Sequence, residues 1–412
     1  MSGPLALAAA AKGGAIPRSF FGMHIENAVP AAYNLYGSVQ CPLFGDLGYG
    51  TVRLYESYAT QLFCNPANGT FNWAPLDALV GYYSAAGVEM VYTFGNMPAW
   101  ATGGSASHFN PLPPTSMASL TGYVSALVAR YAGRIRAYEI WNEVDNAAGS
   151  WSGTVAQMQA ICAAVYPVVK AGDPAALVLS PNVEGFGAMN VGNGLGYQDL
   201  VLQGAAGCAD VLAVHTYCDP GQPEFVVRFG QFVAAQAKTY GLAQYWATES
   251  GALSWYDATG TLQKPSAGGT KMPAAQASGW VTRLGLCHWL GGFARWYYFS
   301  LDGNGIMAWD MVDYAGTGAV ASVEYAPALA YKYLVATLVG GWVFGFAVSG
   351  GVYSCQFVQA GGRRGSIYWT ADYGSGVVNA AGAAQVTDNL GGALAASAAL
   401  AVGGQPVFVW WN

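Results

Sequence analysis

Residues Tyr138-Glu139-Ile140-Trp141-Asn142-Glu143 read as a short apolar strand that stops at an Asn-Glu pair and breaks into Asp145-Asn146. Strand alternation puts Glu139, Trp141 and Glu143 on one face, with Tyr138, Ile140 and Asn142 on the other. An unpaired buried carboxylate is costly, so acids at both ends of one face do not suit a plain core strand. A carboxylate at a strand's C-terminal lip does suit a barrel enzyme, whose chemistry gathers at that rim. Tyr245-Trp246-Ala247-Thr248-Glu249-Ser250-Gly251 repeats the design, again a short strand closing on a glutamate.

Outward from these two stretches the chain alternates apolar strands, polar loops and amphipathic helices. Strands are predicted at 20–25, 51–55, 89–94, 135–141, 177–181, 211–217, 244–248 and 294–300. Helices are predicted at 75–86, 116–131, 154–171, 224–240 and 274–290, with a weaker one at 33–48 broken by Pro42 and glycines. Eight strands alternating with helices predict a closed parallel (β/α)8 TIM barrel over 18–340, preceded by an N-terminal extension at 1–17. After 341 the helical period is lost. Gly-punctuated strand-like pieces at 343–348, 353–359, 366–371, 376–378, 384–388 and 405–410 predict a small C-terminal antiparallel β-sandwich over 341–412.

Composition narrows the function classes. Of 412 residues, 9% are charged, and the net charge of −6 leaves no basic footprint for nucleic acid. The 14 Trp and 26 Tyr fit a large aromatic core, and also a sugar cleft in which rings stack on pyranose faces. Residues 334–351 are charge-free and mostly apolar, but glycine pairs interrupt them, so a helix end followed by a strand is expected rather than a membrane span. The Leu- and Ala-rich 5–11 lacks a basic flank, and a trimmed export signal and a secreted or periplasmic location are the expectation. Seven cysteines show no metal-like spacing. Cys162 and Cys287 are expected in the core, and Cys41–Cys64 or Cys208–Cys218 could pair in an exported protein. Asn68-Gly69-Thr70 matches a glycosylation sequon but is expected to be a turn.

Strands four and seven of a barrel face each other across its mouth. Glutamates ending both could approach to the about 5–5.5 Å that a retaining glycosidase needs between its nucleophile and its acid/base. Four histidines without HxH or HxxxH spacing speak against a metal-dependent hydrolase, so no metal and no cofactor is expected.

The Trp141-Asn142-Glu143 end of strand four, with Glu249 ending strand seven, resembles the marks of clan A glycoside hydrolases. Phe20-Phe21-Gly22-Met23-His24, Val52-Arg53-Leu54-Tyr55 and Tyr92-Thr93-Phe94-Gly95-Asn96-Met97-Pro98-Ala99-Trp100 resemble family 39 and its relatives, and Pro406-Val407-Phe408-Val409 fits the same layout. That family includes β-xylosidases, iduronidases and bacterial exopolysaccharide hydrolases. Many of its xylosidases follow the nucleophile with Trp-Asn. Here Ser250-Gly251 follow, which leaves room for an endo-acting relative.

The resemblance and the chemistry together imply a carbohydrate substrate, β-type bonds and distinct residue roles. Glu249 would be the nucleophile and Glu143 the acid/base, with Asn142 binding the sugar 2-hydroxyl. Arg53 would be the cation near Glu249, and Tyr217, sharing a face with His215, would donate to it. His24 and Trp100 would help to form the nearest subsite. Trp296 on strand eight and Trp309 in the loop after it complete the substrate-binding candidates. Glu139, four residues deeper than Glu143, is expected to be structural, and His108 and His288 non-catalytic. A transglycosylase would use the same residues, and a catalytically silent carbohydrate-binding barrel would not need them intact.

Overall fold

The computed structural model describes residues 14–25, 47–55, 60–104, 110–184, 191–218, 222–265, 271–301, 308–309, 311–313 and 323–411. The weak helix at 33–48, the stretch 1–13, Cys41 and His108 lie essentially outside them. Eight parallel strands close a barrel: β1 (Phe21–Ile25), β2 (Thr51–Leu54), β3 (Glu89–Thr93), β4 (Ala137–Glu139), β5 (Leu177–Leu179), β6 (Val211–Tyr217), β7 (Gln244–Gly251) and β8 (Arg295–Tyr298). They pair in sequence order, and β8 closes on β1 with Phe21 opposite Trp296. This is a TIM barrel.

Its principal helices are α1 (Ala74–Ala85), α2 (Met117–Tyr131), α3 (Val155–Gly172), α4 (Val191–Gly204), α5 (Phe225–Thr239), α6 (Ala274–Leu290) and α7 (Ala326–Leu338). Local chemistry sets several starts. Ser116 caps α2 by accepting from Ser119 N–H, and Thr154 with Gln157 forms a capping box on α3.

Inward-facing residues stack in layers. Val91, Ala137, Leu179, Val211, Ala213, Trp246 and Tyr297 form an apolar plug across the barrel. Tyr297 lies against Gly22 so closely that any Cβ there would enter the ring. Above the plug, towards the strands' C-terminal ends, buried polar residues such as His24, Arg53, Glu139, His215 and Glu249 take over.

After α7 the chain forms β9 (Trp342–Ser349), β10 (Val352–Val358), β11 (Arg364–Thr370), β12 (Gly376–Val378), β13 (Gln385–Thr387), β14 (Ala393–Leu394), β15 (Leu400–Val402) and β16 (Val407–Trp411). The large sheet runs β9-β10-β11-β16-β13-β14 and is antiparallel, with β12 and β15 paired separately. One side of the large sheet (Phe357, Trp369, Phe408, Trp410) joins the barrel's apolar core, while Val386, Val402, Val407 and Val409 form a second, smaller core. The Ala-rich 392–401 contains β14 and the start of β15, strands that its composition hid.

The sheet is tied to α6. Gly279 rests on the Gly404 carbonyl, and Arg283, wholly buried, pairs with Asp372 (2.7 Å) and Glu224 (3.1 Å). The same guanidinium donates to the Thr370 and Gly404 carbonyls.

The apolar stretch at 334–351 is the end of α7 followed by β9, and among the described residues no helix is long and apolar enough to cross a membrane. Asn68-Gly69-Thr70 is a turn closed by the Thr70 N–H on the Ala67 carbonyl. One disulfide expectation is corrected: Cys208 is a free thiol, so the Cys208–Cys218 pairing does not form. Cys162, Cys287 and Cys355 are free as well, and the Cys41–Cys64 pairing lies outside the described residues because Cys41 does.

Candidate active site

Strand β4 ends at Glu139, earlier than the alternation predicts. The Trp141 N–H turns back onto the Glu139 carbonyl, and Trp141 (φ 75°) and Glu143 (φ 40°) both take left-handed backbone conformations. Glu143 therefore stands on a sharp turn over the barrel mouth, and Trp141 leaves the Glu139 face. Its ring packs edge-on to Trp151, and its indole N–H donates to the Ser150 carbonyl at 2.9 Å. Non-glycine residues in such conformations cost of order 1–3 kcal/mol each and persist only where the surroundings over-determine them.

Glu249 reaches the same place by a different device. Trp246 faces the barrel interior, so simple alternation would send Glu249 outward. The β6–β7 register shifts between Val214–Ala247 and His215–Glu249, leaving Thr248 as the extra residue of a bulge. The bulge turns Glu249 inward beside His215.

The two glutamates meet at that histidine. His215 Nδ1 lies 2.9 Å from Glu143 Oε1 and 3.4 Å from Glu249 Oε2. One oxygen of each carboxyl and a ring nitrogen all lie within 4.8 Å of one another. The two acids have different surroundings. Glu249, nearly buried, is ion-paired with Arg53 Nη1 and accepts the Tyr217 hydroxyl at 2.6 Å. Glu143 keeps 16% of its side chain exposed and has no lysine or arginine against it among the described residues.

Burial and the nearby Asp145 push the Glu143 carboxyl up to about 7. Burial also raises Glu249, opposed by His215, the Arg53 guanidinium and the Tyr217 hydroxyl, while Glu143 adds to the rise. A pair this close shares one negative charge more easily than two. That charge belongs on Glu249, where the cation and the donors are. His215 is pushed down to about 4 by burial, so its ring is neutral at neutral pH.

Arg53 organises the mouth. From β2 its Nε donates to Glu139 Oε2 (2.7 Å), Nη2 to Asn142 Oδ1 (2.7 Å), and Nη1 lies 3.3 Å from His24 Nδ1. Thr93 also donates to Glu139 Oε2 at 2.7 Å, and Arg53 holds that carboxyl below its usual range against burial. With Asn142 Oδ1 taken, its Nδ2 is the end left to donate.

Glu143, Glu249, Asn142, Arg53, His215, Tyr217 and His24 are thus brought together. His24 is wholly buried, its ring against Phe299 at 4.5 Å, so it backs Arg53. Trp100 is half-buried, and its indole N–H is spent on the Asn65 carbonyl at 2.8 Å. Two tryptophans correct the expectation. Trp296 faces out of the barrel into the helical layer, stacked on His288 at 5.6 Å with Phe20, Phe21 and Tyr331 around it. Trp309 is also buried, stacked on Tyr298 at 5.4 Å and edge-on to Trp280, so neither offers a platform to a sugar. His288 lies in α6, bonded to Thr216 and the Leu284 carbonyl.

The loop after β5 supplies residues that sequence reasoning missed. Asn182 bonds to the backbone of Glu143, and Glu184 N–H donates to Asp145 Oδ1 at 2.9 Å. Glu184 accepts from Asn146 at 2.8 Å and is pushed up to about 7 by burial and by Glu143 and Asp145. Their only signal was position: two polar residues just beyond a barrel strand.

No family model matches the chain, and no curated protein matches it. Solved structures do. A family 39 glycoside hydrolase from the gut symbiont Bacteroides cellulosilyticus WH2 is 16% identical with a TM-score of 0.71, covering 96% of this chain and 81% of its own. A GH51 arabinofuranosidase from Xanthomonas axonopodis pv. citri is 10% identical with a TM-score of 0.64, covering 97% and 98%. A GH30 endoxylanase from Clostridium papyrosolvens C71 is 15% identical with a TM-score of 0.61, covering 98% and 97%. At such identities the likeness is one of fold.

Proposed function

We propose that this protein is a retaining glycoside hydrolase that cleaves β-type bonds in an oligo- or polysaccharide, with Glu249 as nucleophile and Glu143 as acid/base. The observation that carries the reading is the pair of carboxyls meeting at His215 in opposite environments. One is held by a cation and a hydroxyl donor; the other is partly open and pushed up to about 7. Fold-level likeness to three kinds of glycoside hydrolase supports the reaction class.

In the first step a Glu249 carboxylate oxygen bonds to the anomeric carbon. The bond from that carbon to the leaving oxygen breaks, and the Glu143 proton goes to that oxygen. Esterified Glu249 carries no charge, so the repulsion that kept Glu143 protonated is gone and Glu143 can act as a base. Glu143 then takes a proton from water, whose oxygen attacks the anomeric carbon and releases Glu249. Asn142, its carbonyl fixed by Arg53, presents its N–H2 to the sugar 2-hydroxyl, where hydrogen bonds tighten in the transition state.

Glu143→Ala tests the assignment. We expect kcat/KM for poor leaving groups to fall on the order of 100- to 10,000-fold, and for a 2,4-dinitrophenyl glycoside to change little. Added azide should restore turnover and yield a β-glycosyl azide. Equal losses on both substrates would remove Glu143 as the acid/base.

The pH profile has an expected sign. Glu143 must be protonated to donate, so kcat/KM for poor leaving groups should be full below about 7 and fall as pH rises through it. Glu143→Gln should erase that limb. A limb that persists would have to come from another group.

A further inference from the structure

We propose that Asn182 is a positioning residue for Glu143, holding the turn at 141–143 in the one conformation that aims the Glu143 carboxyl at the scissile oxygen. This rests on the reading of Glu143 as acid/base.

Asn182 lies three residues beyond β5 and is wholly buried. Its side-chain carbonyl accepts the Glu143 N–H at 2.7 Å, and its side-chain N–H2 donates to the Trp141 carbonyl at 3.3 Å. Its backbone carbonyl accepts the Val144 N–H at 3.0 Å. One asparagine therefore holds the backbone at three points around Asn142, and the residues on either side, Trp141 and Glu143, both have positive φ. Neither tryptophan nor glutamate adopts that region readily, so the turn needs an external clamp.

Other contacts hold the turn at its edges, with the Trp141 N–H on the Glu139 carbonyl, Asn142 Oδ1 on Arg53 and the Glu143 carbonyl on the Asn146 N–H, but none of them reaches the Glu143 N–H. Trp141 is anchored through its ring and Glu143 through its carboxyl, but among the described residues only Asn182 pairs the Glu143 N–H. Without it a backbone donor in a largely buried turn loses its partner, and Glu143 can relax to an ordinary φ. That rotation would carry the carboxyl off His215.

The test compares Asn182→Ala and Asn182→Asp with Glu143→Ala on 2,4-dinitrophenyl and phenyl glycosides. The sugar is whichever the wild type releases from a panel of β-D-xylosides, β-D-glucosides and α-L-arabinofuranosides. For Asn182→Ala we expect kcat/KM on the phenyl glycoside to fall about 10- to 100-fold. On the dinitrophenyl glycoside, which needs little protonation, it should stay within about threefold. That second rate also reports that the variant is folded.

The Asn182→Asp substitution keeps the acceptor for the Glu143 N–H and adds a charge. Among the described residues, the charged or titratable groups around Glu143 are Asp145 on its own turn, Glu184 after β5, His215 on β6, Glu249 on β7, Glu139 on β4 and Arg53 on β2. An added carboxylate among them moves the basic limb up in pH. Asn182→Ala, by releasing Glu143 towards water, moves it down.

Opposite shifts of the limb are the signature of positioning, which a general loss of stability would not give. Equal losses on both glycosides, or basic limbs unmoved in both variants, would overturn the proposal. If Glu143→Ala itself shows no split between the two glycosides, the fault lies with the acid/base reading instead.

Discussion

Replacing Glu249 with alanine should abolish hydrolysis of an aryl glycoside, with residual kcat/KM lower by on the order of 10,000-fold or more. The expectation comes from geometry as much as from role. The Thr248 bulge delivers this one side chain to the interior, and an alanine there ends far short of any anomeric carbon. Among the described residues no neighbour is placed to substitute: Glu139 is engaged by Arg53 and Thr93, and in the proposed mechanism Glu143 serves the leaving oxygen. Added azide separates the two glutamates. In the Glu249 variant azide could enter only from the nucleophile's side, so no β-glycosyl azide should form. In the Glu143 variant it should. Product NMR reads both, and unchanged turnover in Glu249→Ala would end the assignment.

Arg53→Met should be nearly as damaging, and to stability as well as rate. The guanidinium is shared by Glu139 and Glu249 and buried with them, so its removal leaves two interior carboxylates without a cation. Breaking a buried pair in this way costs about 3–5 kcal/mol, which a urea titration would read as a lower midpoint. Activity should fall on the order of 100- to 1,000-fold, because Asn142 loses its orienting donor and Glu249 its counter-charge.

The sign of the pH effect follows. As the proposed nucleophile Glu249 must be ionised to attack, and losing the guanidinium raises its proton affinity, so the acid limb should move to higher pH. Lysine would not repair this, since one ammonium cannot address three acceptors from a fixed plane. Adding Glu139→Gln to Arg53→Met should recover part of the stability and none of the activity. An Arg53→Met variant of wild-type midpoint would show that the pair contributes nothing net.

The barrel was legible because its strands carry strong local signals. Each of the eight overlaps its predicted span, since each is an apolar run bounded by polar or glycine-rich loops. The acidic pair was legible from its strand-end positions. What the sequence concealed is departure from alternation. A period-two reading kept Trp141 on the Glu139 face, whereas the strand stops at Glu139 and turns left-handed. The same reading could not see that Glu249 depends on a bulge, because an inserted residue leaves no mark in a single chain.

Trp296 and Trp309 went astray for another reason. Aromatic faces suit sugars and cores equally, and only the packing of Phe20, Tyr298 and Trp280 against them decides. Asn182 was invisible because its partners are backbone atoms on another strand's loop.

The pairing of Arg283 with Asp372 bears on how such a chain can be inherited. Recombination treats a C-terminal unit as a cassette when its boundary is solvated and forgiving. Here an exchange of residues 342–411 would keep Arg283 and Glu224 but discard Asp372 and the Thr370 and Gly404 carbonyls. A foreign cassette would inherit an interior cation with half its counterparts missing, and a helix whose Gly279 fits only one backbone. The two halves must therefore drift as a lineage of matched pairs, each constraining which substitutions the other can accept.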